Sequence, residues 1–366
     1  MPDGETGVIF AWAMPKLAEG KGSCIKAAKV RLFVDKTIKR GDGRLSECML
    51  PTLGRLRKAA LWVCLLLCSM AVRAQMDVQF SDYTRLRSYY NPAVSGTDGL
   101  LNVAAAYALQ FLGYDDAPGS MYVGADLPVY FLNAHHGAGV NFMSDQAGMF
   151  TQQRIGLQYA YNFRVGRRGR LAVGVGVALL TETIDGSDVE LEDQSDPAFP
   201  SGEESGNSVD LCAGIYYYHP RFWAGFSSQH LSAPTIVLDN EYEFAIDRMY
   251  YLTGGCNIPL KNTFLTLQPS FMVMSDMDNW REDVQVRLRY EYEQRSLYAG
   301  VGYSPDISVT FMVGGVFHGI SLGYSYQMYT GGVGLGNGSH EISLGYQTEL
   351  DLFKKGRNRH RSVRFL

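Results

Sequence analysis

The strongest constraint on the fold is a period-two alternation, recurring between Gly99 and Asp351, of large apolar residues with small, polar or charged ones. Its clearest stretches are Ile155, Leu157, Tyr159, Tyr161 and Phe163; Leu171, Val173, Val175, Val177 and Leu179; and Val284, Val286, Leu288, Tyr290 and Tyr292. Two more follow, Ile320, Leu322, Tyr324 and Tyr326, then Ile342, Leu344 and Tyr346. Gln158, Asn162, Gly174, Gly176, Arg287, Glu291, Ser321 and Ser343 are among the residues that stand between them. Successive strand residues point to opposite faces, so each segment has one apolar face and one small or polar face. No sustained helical stripe of about ten or more residues interrupts the pattern, and the fold class is all-β.

A soluble sandwich shows the same alternation, so other features have to separate it from a membrane barrel. The segments exceed the five or six residues usual in globular sheets and approach the roughly nine to eleven that a tilted strand needs to cross a bilayer. Tyr216, Tyr217, Tyr218, Phe222, Trp223, Tyr250, Tyr251 and Tyr329 stand near segment ends, as interfacial girdles require. Segments fall at about 99–111, 119–129, 136–144, 150–164, 169–182, 207–218, 221–231, 244–257, 262–275, 280–293, 295–304, 306–317, 319–330 and 339–351. The expectation is a transmembrane antiparallel up-and-down β-barrel of about 14 strands.

An even strand number returns the chain to its side of entry, which puts both termini in the periplasm. The even connections around 165–169, 219–220, 258–261, Gln294 and His318 are mostly short, and Arg164, Arg167, Arg168, Arg170, Arg221, Lys261 and Arg295 lie in or beside them. The odd connections carry Asp115, Asp116, Asp145, the stretch from Thr183 to Gly206, Asp239, Glu241, Glu243, Asp276, Asp278 and Asp306. Acid and loop length are therefore expected outside the cell, and base on the periplasmic side.

The N-terminal part reads differently. Arg55, Arg57 and Lys58 precede an apolar run from Ala59 to Val72, and Val72-Arg73-Ala74 places small residues three and one positions before Gln75. That is the pattern of a secretory signal cleaved after Ala74, with an apolar run too short for a spanning helix. The expected organisation is an over-extended gene start over 1–48, a signal peptide over 49–74, a periplasmic N-terminal segment over 75–98, the barrel over 99–351 and a basic tail over 352–366. Without residues 1–74 the chain keeps 20 Lys and Arg against 31 Asp and Glu, a balance that argues against a general nucleic-acid binder. Cys212 and Cys256 then remain, with no CxxC and no paired histidine spacing, and are expected to be unpaired or structural.

No residue pattern supports catalysis, a cofactor or a metal. Asp185, Asp188, Glu190, Glu192, Asp193, Asp196, Glu203 and Glu204 crowd one odd connection, but their spacing is not that of a calcium loop, and a solvated surface loop is expected. His135 and His136 are adjacent and would point to opposite faces of a strand. The glycine-rich stretch from Gly331 to Gly338 has no following helix to cradle phosphate, and no Gly-x-Ser-x-Gly elbow is present. Arg287, Arg289, Glu291 and Glu293 alternate with apolar residues, so they are expected to face the lumen. There they either select solutes in an open pore or pair with charges on neighbouring strands and fill it. The tail carries Lys354, Lys355, Arg357, Arg359, Arg361 and Arg364, either solvated or meeting an acidic periplasmic partner.

Several motifs in order resemble the PorP/SprF family of type IX secretion outer-membrane proteins of Bacteroidota. They are Gln79-Phe80-Ser81-Asp82-Tyr83, Tyr90-Asn91-Pro92-Ala93, Gly96-Thr97, Gly124-Ala125-Asp126-Leu127-Pro128 and Gly137-Ala138-Gly139-Val140 with Asp145 and Gly148. Leu157-Gln158-Tyr159-Ala160-Tyr161, Gly174-Val175-Gly176 and His340-Glu341-Ile342-Ser343-Leu344-Gly345-Tyr346 continue the match. The chain departs from the family at Ala108-Leu109-Gln110-Phe111, where an Arg-x-Gln-Trp run is frequent. The resemblance implies a non-enzymatic barrel that assists secretion or surface attachment of client proteins bearing a type IX C-terminal signal, including gliding adhesins in some relatives. Periplasmic secretion-ring proteins and outer-membrane lipid are the implied partners. The competing functions are a passive porin, which needs an open lumen, and a soluble secreted β-sandwich adhesin.

Overall fold

Strands with one apolar and one polar face cannot hide both in a flat sheet, and closing the sheet also removes its unpaired edges. The computed structural model describes residues 77–349 apart from 114–116, 133, 188–201, 239–241, 262–263, 294 and 332–337. Its strands are β1 (Leu101–Leu109), β2 (Gly119–Phe131), β3 (Ala134–Ala147), β4 (Phe150–Val165), β5 (Gly169–Asp185), β6 (Glu203–His219), β7 (Phe222–Gln229), β8 (Thr235–Leu238) and β9 (Tyr242–Ala245). They continue as β10 (Met249–Cys256), β11 (Ile258–Pro259), β12 (Leu265–Ser275), β13 (Trp280–Tyr292), β14 (Arg295–Ser304), β15 (Ser308–Phe317), β16 (Ile320–Tyr329) and β17 (Ser339–Thr348).

Fourteen of these form one closed antiparallel barrel. Each pairs with the next in sequence from β1 to β7; β10 then pairs with both β7 and β12, and β12 to β17 continue the order. Leu101 of β1 lies opposite Thr348 of β17, which closes the ring. The short β11 extends β12 at its edge, and β8–β9 form a separate hairpin in the connection between β7 and β10. The barrel strand expected over 244–257 thus begins at Met249, because 242–245 belongs to that hairpin.

The apolar face points out. Ile155 and Leu157 are each 58% exposed, whereas Gln158 and Asn162 on the other face of β4 are buried. A soluble sandwich would reverse that arrangement, so the exposed band is a lipid-facing surface. Connections sort as expected: those at 166–168, 220–221 and 318–319 are tight, and the long ones, 186–202 and 230–248, lie at the opposite end.

The N-terminal segment departs from expectation. Residues 77–98 are not a separate periplasmic segment; they fold inside the barrel. Val78, Phe80, Tyr83, Leu86, Tyr89 and Tyr90 are buried and form the main hydrophobic core with the inward residues Ala106, Ala108, Tyr122, Met143, Met249, Tyr251, Met272 and Met274. Their apolar side chains have no other place to leave water in a barrel whose outer face is given to lipid. One helical turn, Arg87–Tyr90, and a 3₁₀ turn, Pro92–Val94, shape this plug. The aromatic rings pack edge to face, Phe80 with Tyr89 at 5.5 Å and Tyr89 with Tyr122 at 5.2 Å between centroids.

Candidate functional site: the plugged lumen

Seating an irregular segment in a lumen requires that every buried backbone group find a partner, because water is scarce there. The wall supplies them strand by strand. Glu341 on β17 accepts from the amides of Ser81 (2.5 Å) and Asp82 (3.2 Å). Gln229 at the end of β7 donates to the carbonyl of Tyr89 (2.8 Å), and Asn91 donates to that of Ile215 on β6 (3.1 Å). Asp126 on β2 accepts from the amide of Gly96 (2.8 Å), and Ser95 donates to Gln158 on β4 (3.0 Å). Arg170 at the start of β5 donates to the carbonyl of Thr97 (2.9 Å).

Shape completes the fit. A Cβ added to Gly137 on β3 would collide with the carbonyl oxygen of Ser95 and stand 2.5 Å from its carbon; one added to Gly174 on β5 would stand 2.5 Å from the Cα of Ala93. The plug backbone thus rests directly on the wall backbone at two points. Gly96, at φ +65°, takes the left-handed turn that the approach to β2 and β3 requires. The motifs quoted above are accordingly of two kinds, plug residues and the wall residues that receive them.

A charged centre holds the middle of the plug. Asp82 pairs with the Arg287 guanidinium on β13, and the Tyr298 hydroxyl on β14 donates to the same carboxylate (3.0 Å). Arg287 also donates to Gln285 (3.1 Å) and lies over the Tyr298 ring at 5.3 Å. Arg85 reaches that tyrosine oxygen from the plug (3.0 Å). The lumenal charge of Arg287 is therefore answered by the plug and not by a neighbouring strand.

A second centre fixes the plug's first described residues at the end of the barrel that carries the long connections. His230, just past β7 and in a left-handed conformation, has Nε2 3.1 Å from Asp77 and Nδ1 3.1 Å from Asp210 on β6. Tyr251 donates to Asp77 (2.6 Å). Burial disfavours the imidazolium, but the two carboxylates outweigh it and raise His230 to about 9. Burial likewise opposes the Asp77 charge, yet His230 and Tyr251 hold it below the usual carboxylate range. A histidine raised in the folded state contributes fully below its ordinary value of 6.5 and loses that contribution as pH rises through about 9. The lowered Asp77 gives the complementary limit, its contribution lost as pH falls through the acid range. Hydrogen exchange around 77–80 in detergent is expected to accelerate between pH 8 and 10 beyond the intrinsic rate, and His230→Gln to abolish that excess. A pH-independent protection factor would refute the latch.

Arg287 is buried in the lumen; Arg289 and Glu291 pair with each other (2.5 Å) on the inward face near the rim; Glu293 lies in the exposed β13–β14 turn. Glu293 is therefore not a lumenal charge, because β13 ends at Tyr292. Asp185 ends β5 opposite Glu203 at the start of β6, with Glu204 opposite Ile184. Asp188, Glu190, Glu192, Asp193 and Asp196 lie outside the described residues, as do Lys354, Lys355, Arg357, Arg359, Arg361 and Arg364. Cys212 and Cys256 are both free thiols. Among the described residues no group of His, Cys, Asp and Glu is placed to hold a metal ion.

Asp77 cannot be grouped with Asp210 and His230 from the sequence, because they lie 133 and 153 residues further along the chain. The signal that reveals the plug is the burial-type composition of 78–90, where Val78, Phe80, Tyr83, Leu86, Tyr89 and Tyr90 would be costly in a solvated segment.

Comparison with known proteins decides the family. The family of type IX secretion system membrane proteins PorP/SprF matches residues 72–346. The chain belongs to this family. The matched span takes in the plug and nearly all of the barrel, so a PorP/SprF protein is here a closed outer-membrane barrel with a folded N-terminal plug. No curated protein matches the sequence. Among solved structures, a Pseudomonas aeruginosa FadL homologue aligns over 68% of this chain and 89% of its own, at 14% identity and a TM-score of 0.41. The CymD monoaromatic hydrocarbon channel aligns over 77% and 96%, at 10% identity and a TM-score of 0.42.

Proposed function

We propose that this PorP/SprF barrel assists the secretion or surface attachment of client proteins carrying a type IX C-terminal signal, and is not a passive channel. The observation that carries the proposal is the plug: the lumen a porin needs open is occupied by residues 77–98, held by buried charge pairs and backbone hydrogen bonds. Family membership supplies the process, and the plug in the lumen supports this reading over the passive channel.

In this proposal the end with long connections faces the cell exterior. The acidic connection between β5 and β6, with Asp185, Glu203 and Glu204 at its described base, meets the client, and the basic tail after Asp351 meets periplasmic secretion-ring proteins. Gliding motility enters where the client is an adhesin. A deletion strain tests the role: signal-bearing clients are expected to be lost from the surface and the medium, and the intact barrel to restore them. A barrel lacking Ser187 to Glu203 is expected to insert normally while releasing clients that the intact protein retains. Unchanged secretion and retention in the deletion strain would refute the proposal.

A further inference from the structure

Sidedness of charge is strongest at the barrel end opposite the latch, in the sector from β3 to β7. Arg164, Arg167, Arg168 and Arg170 lie in or beside the β4–β5 turn, Arg221 lies in the β6–β7 turn, and His135 and His219 flank them. No Asp or Glu occurs within 127–144, 146–181 or 211–238, which contain these residues. The described ion pairs involve none of the five arginines. The other half of the same rim is different, because Arg289 there is paired with Glu291 and Glu293 lies close by.

The position of these cations relative to the lipid-facing surface indicates what they meet. Val165, Gly166, Arg167, Arg168, Gly169, Tyr217 and His219 line one open cleft. The odd-numbered positions of β4 and β6 carry the lipid-facing residues Leu157, Tyr159, Tyr161 and Phe163, and Val209, Leu211 and Ile215. Val165, Tyr217 and His219 share that parity, so the cleft opens sideways, toward the bilayer, and not into the lumen. Tyr217 lies across β5, where a Cβ at Gly169 would meet its hydroxyl. Its ring packs on Phe222 at 5.6 Å, His219 packs on Phe222 at 5.1 Å, and Arg221 donates its amide to His219. Aromatic rings above cations at the end of a lipid-facing band mark the level of the headgroups, where phosphate is the available anion.

We propose that this cleft binds the phosphate-bearing headgroup of an anionic phospholipid in the adjacent leaflet, with Arg167, Arg168 and Arg221 around the phosphate and Tyr217 against the glycerol region. Guanidinium–phosphate contacts are directional and can be bidentate, which separates such binding from diffuse attraction to a charged surface. A periplasmic protein would approach the rim along the barrel axis, whereas this cleft is entered from the side.

Native mass spectrometry of the purified barrel, delipidated and titrated with phosphatidylglycerol or phosphatidylcholine of the same chains, tests the proposal. Wild type is expected to retain one phosphatidylglycerol at least tenfold more strongly than phosphatidylcholine. Arg167→Gln with Arg168→Gln and Arg221→Gln is expected to remove the preference, and Arg289→Gln on the far rim to leave it intact. The Arg221→Gln and Tyr217→Leu single variants read the same preference if the triple variant fails to insert, each lowering it at least threefold. Equal retention of both lipids by wild type, or an unchanged preference in the triple variant or in both single variants, would overturn the assignment. So would loss of an acidic periplasmic protein in the triple variant with the lipid preference kept.

Discussion

Gly137→Val is expected to unseat the plug. Its Cβ would enter the space of the Ser95 carbonyl, and two backbones in contact cannot yield as a flexible side chain does. Ordinary overpacking costs about 1–3 kcal/mol, and here the strain falls on the turn at Gly96, whose left-handed φ leaves little freedom to move aside. The first consequence is local: Asp126 loses the Gly96 amide and Gln158 loses Ser95. Hydrogen exchange over 88–98 in the detergent-solubilised barrel is expected to rise at least tenfold, while the strands β12 to β17 stay protected. Unchanged protection of 88–98 would show that the plug does not rest on β3 as described. Gly174→Val, under Ala93, provides an independent repeat of the same experiment.

The Asp82–Arg287 pair carries the second large effect. Removing one partner of a buried ion pair leaves the other charge uncompensated and costs about 3–5 kcal/mol, whereas replacing both with apolar groups is often close to neutral. Asp82→Ala is therefore expected to lower the urea midpoint for loss of plug protection markedly, and Asp82→Ala with Arg287→Met to recover most of it. The recovery is bounded, because Tyr298 and Arg85 also address the Asp82 carboxylate and its neighbourhood. Additive losses in the double variant would show that the two residues are not coupled.

The barrel was legible in the sequence because a lipid-facing strand obeys a period of two whatever its neighbours do. Ile155 to Phe163 and Val284 to Tyr292 fix their own face, and the count of fourteen follows from the turns between such segments. The β8–β9 hairpin was not legible, since Thr235 to Ala245 shows no such period and its packing is decided by the connection that contains it. The plug was legible only in its motifs. Gln79 to Tyr83 and Tyr90 to Ala93 resemble a family pattern, but an irregular segment has no period, and its place is set by partners such as Glu341 and Arg287, some 260 and 205 residues away. Leu101 and Thr348 lie at one end of the barrel, whereas the latch holds Asp77 toward the end with the long connections. Arg287 stands on the inward face that the alternation defines, but its partner Asp82 lies in the segment that periodicity cannot place.

Conductance of the purified protein in planar bilayers tests the central claim most directly. The intact barrel is expected to give no steady current, and a barrel lacking residues 77–98 to conduct steadily through the emptied lumen. A steady, ion-selective current from the intact protein would contradict a closed PorP/SprF barrel and restore the porin as its function.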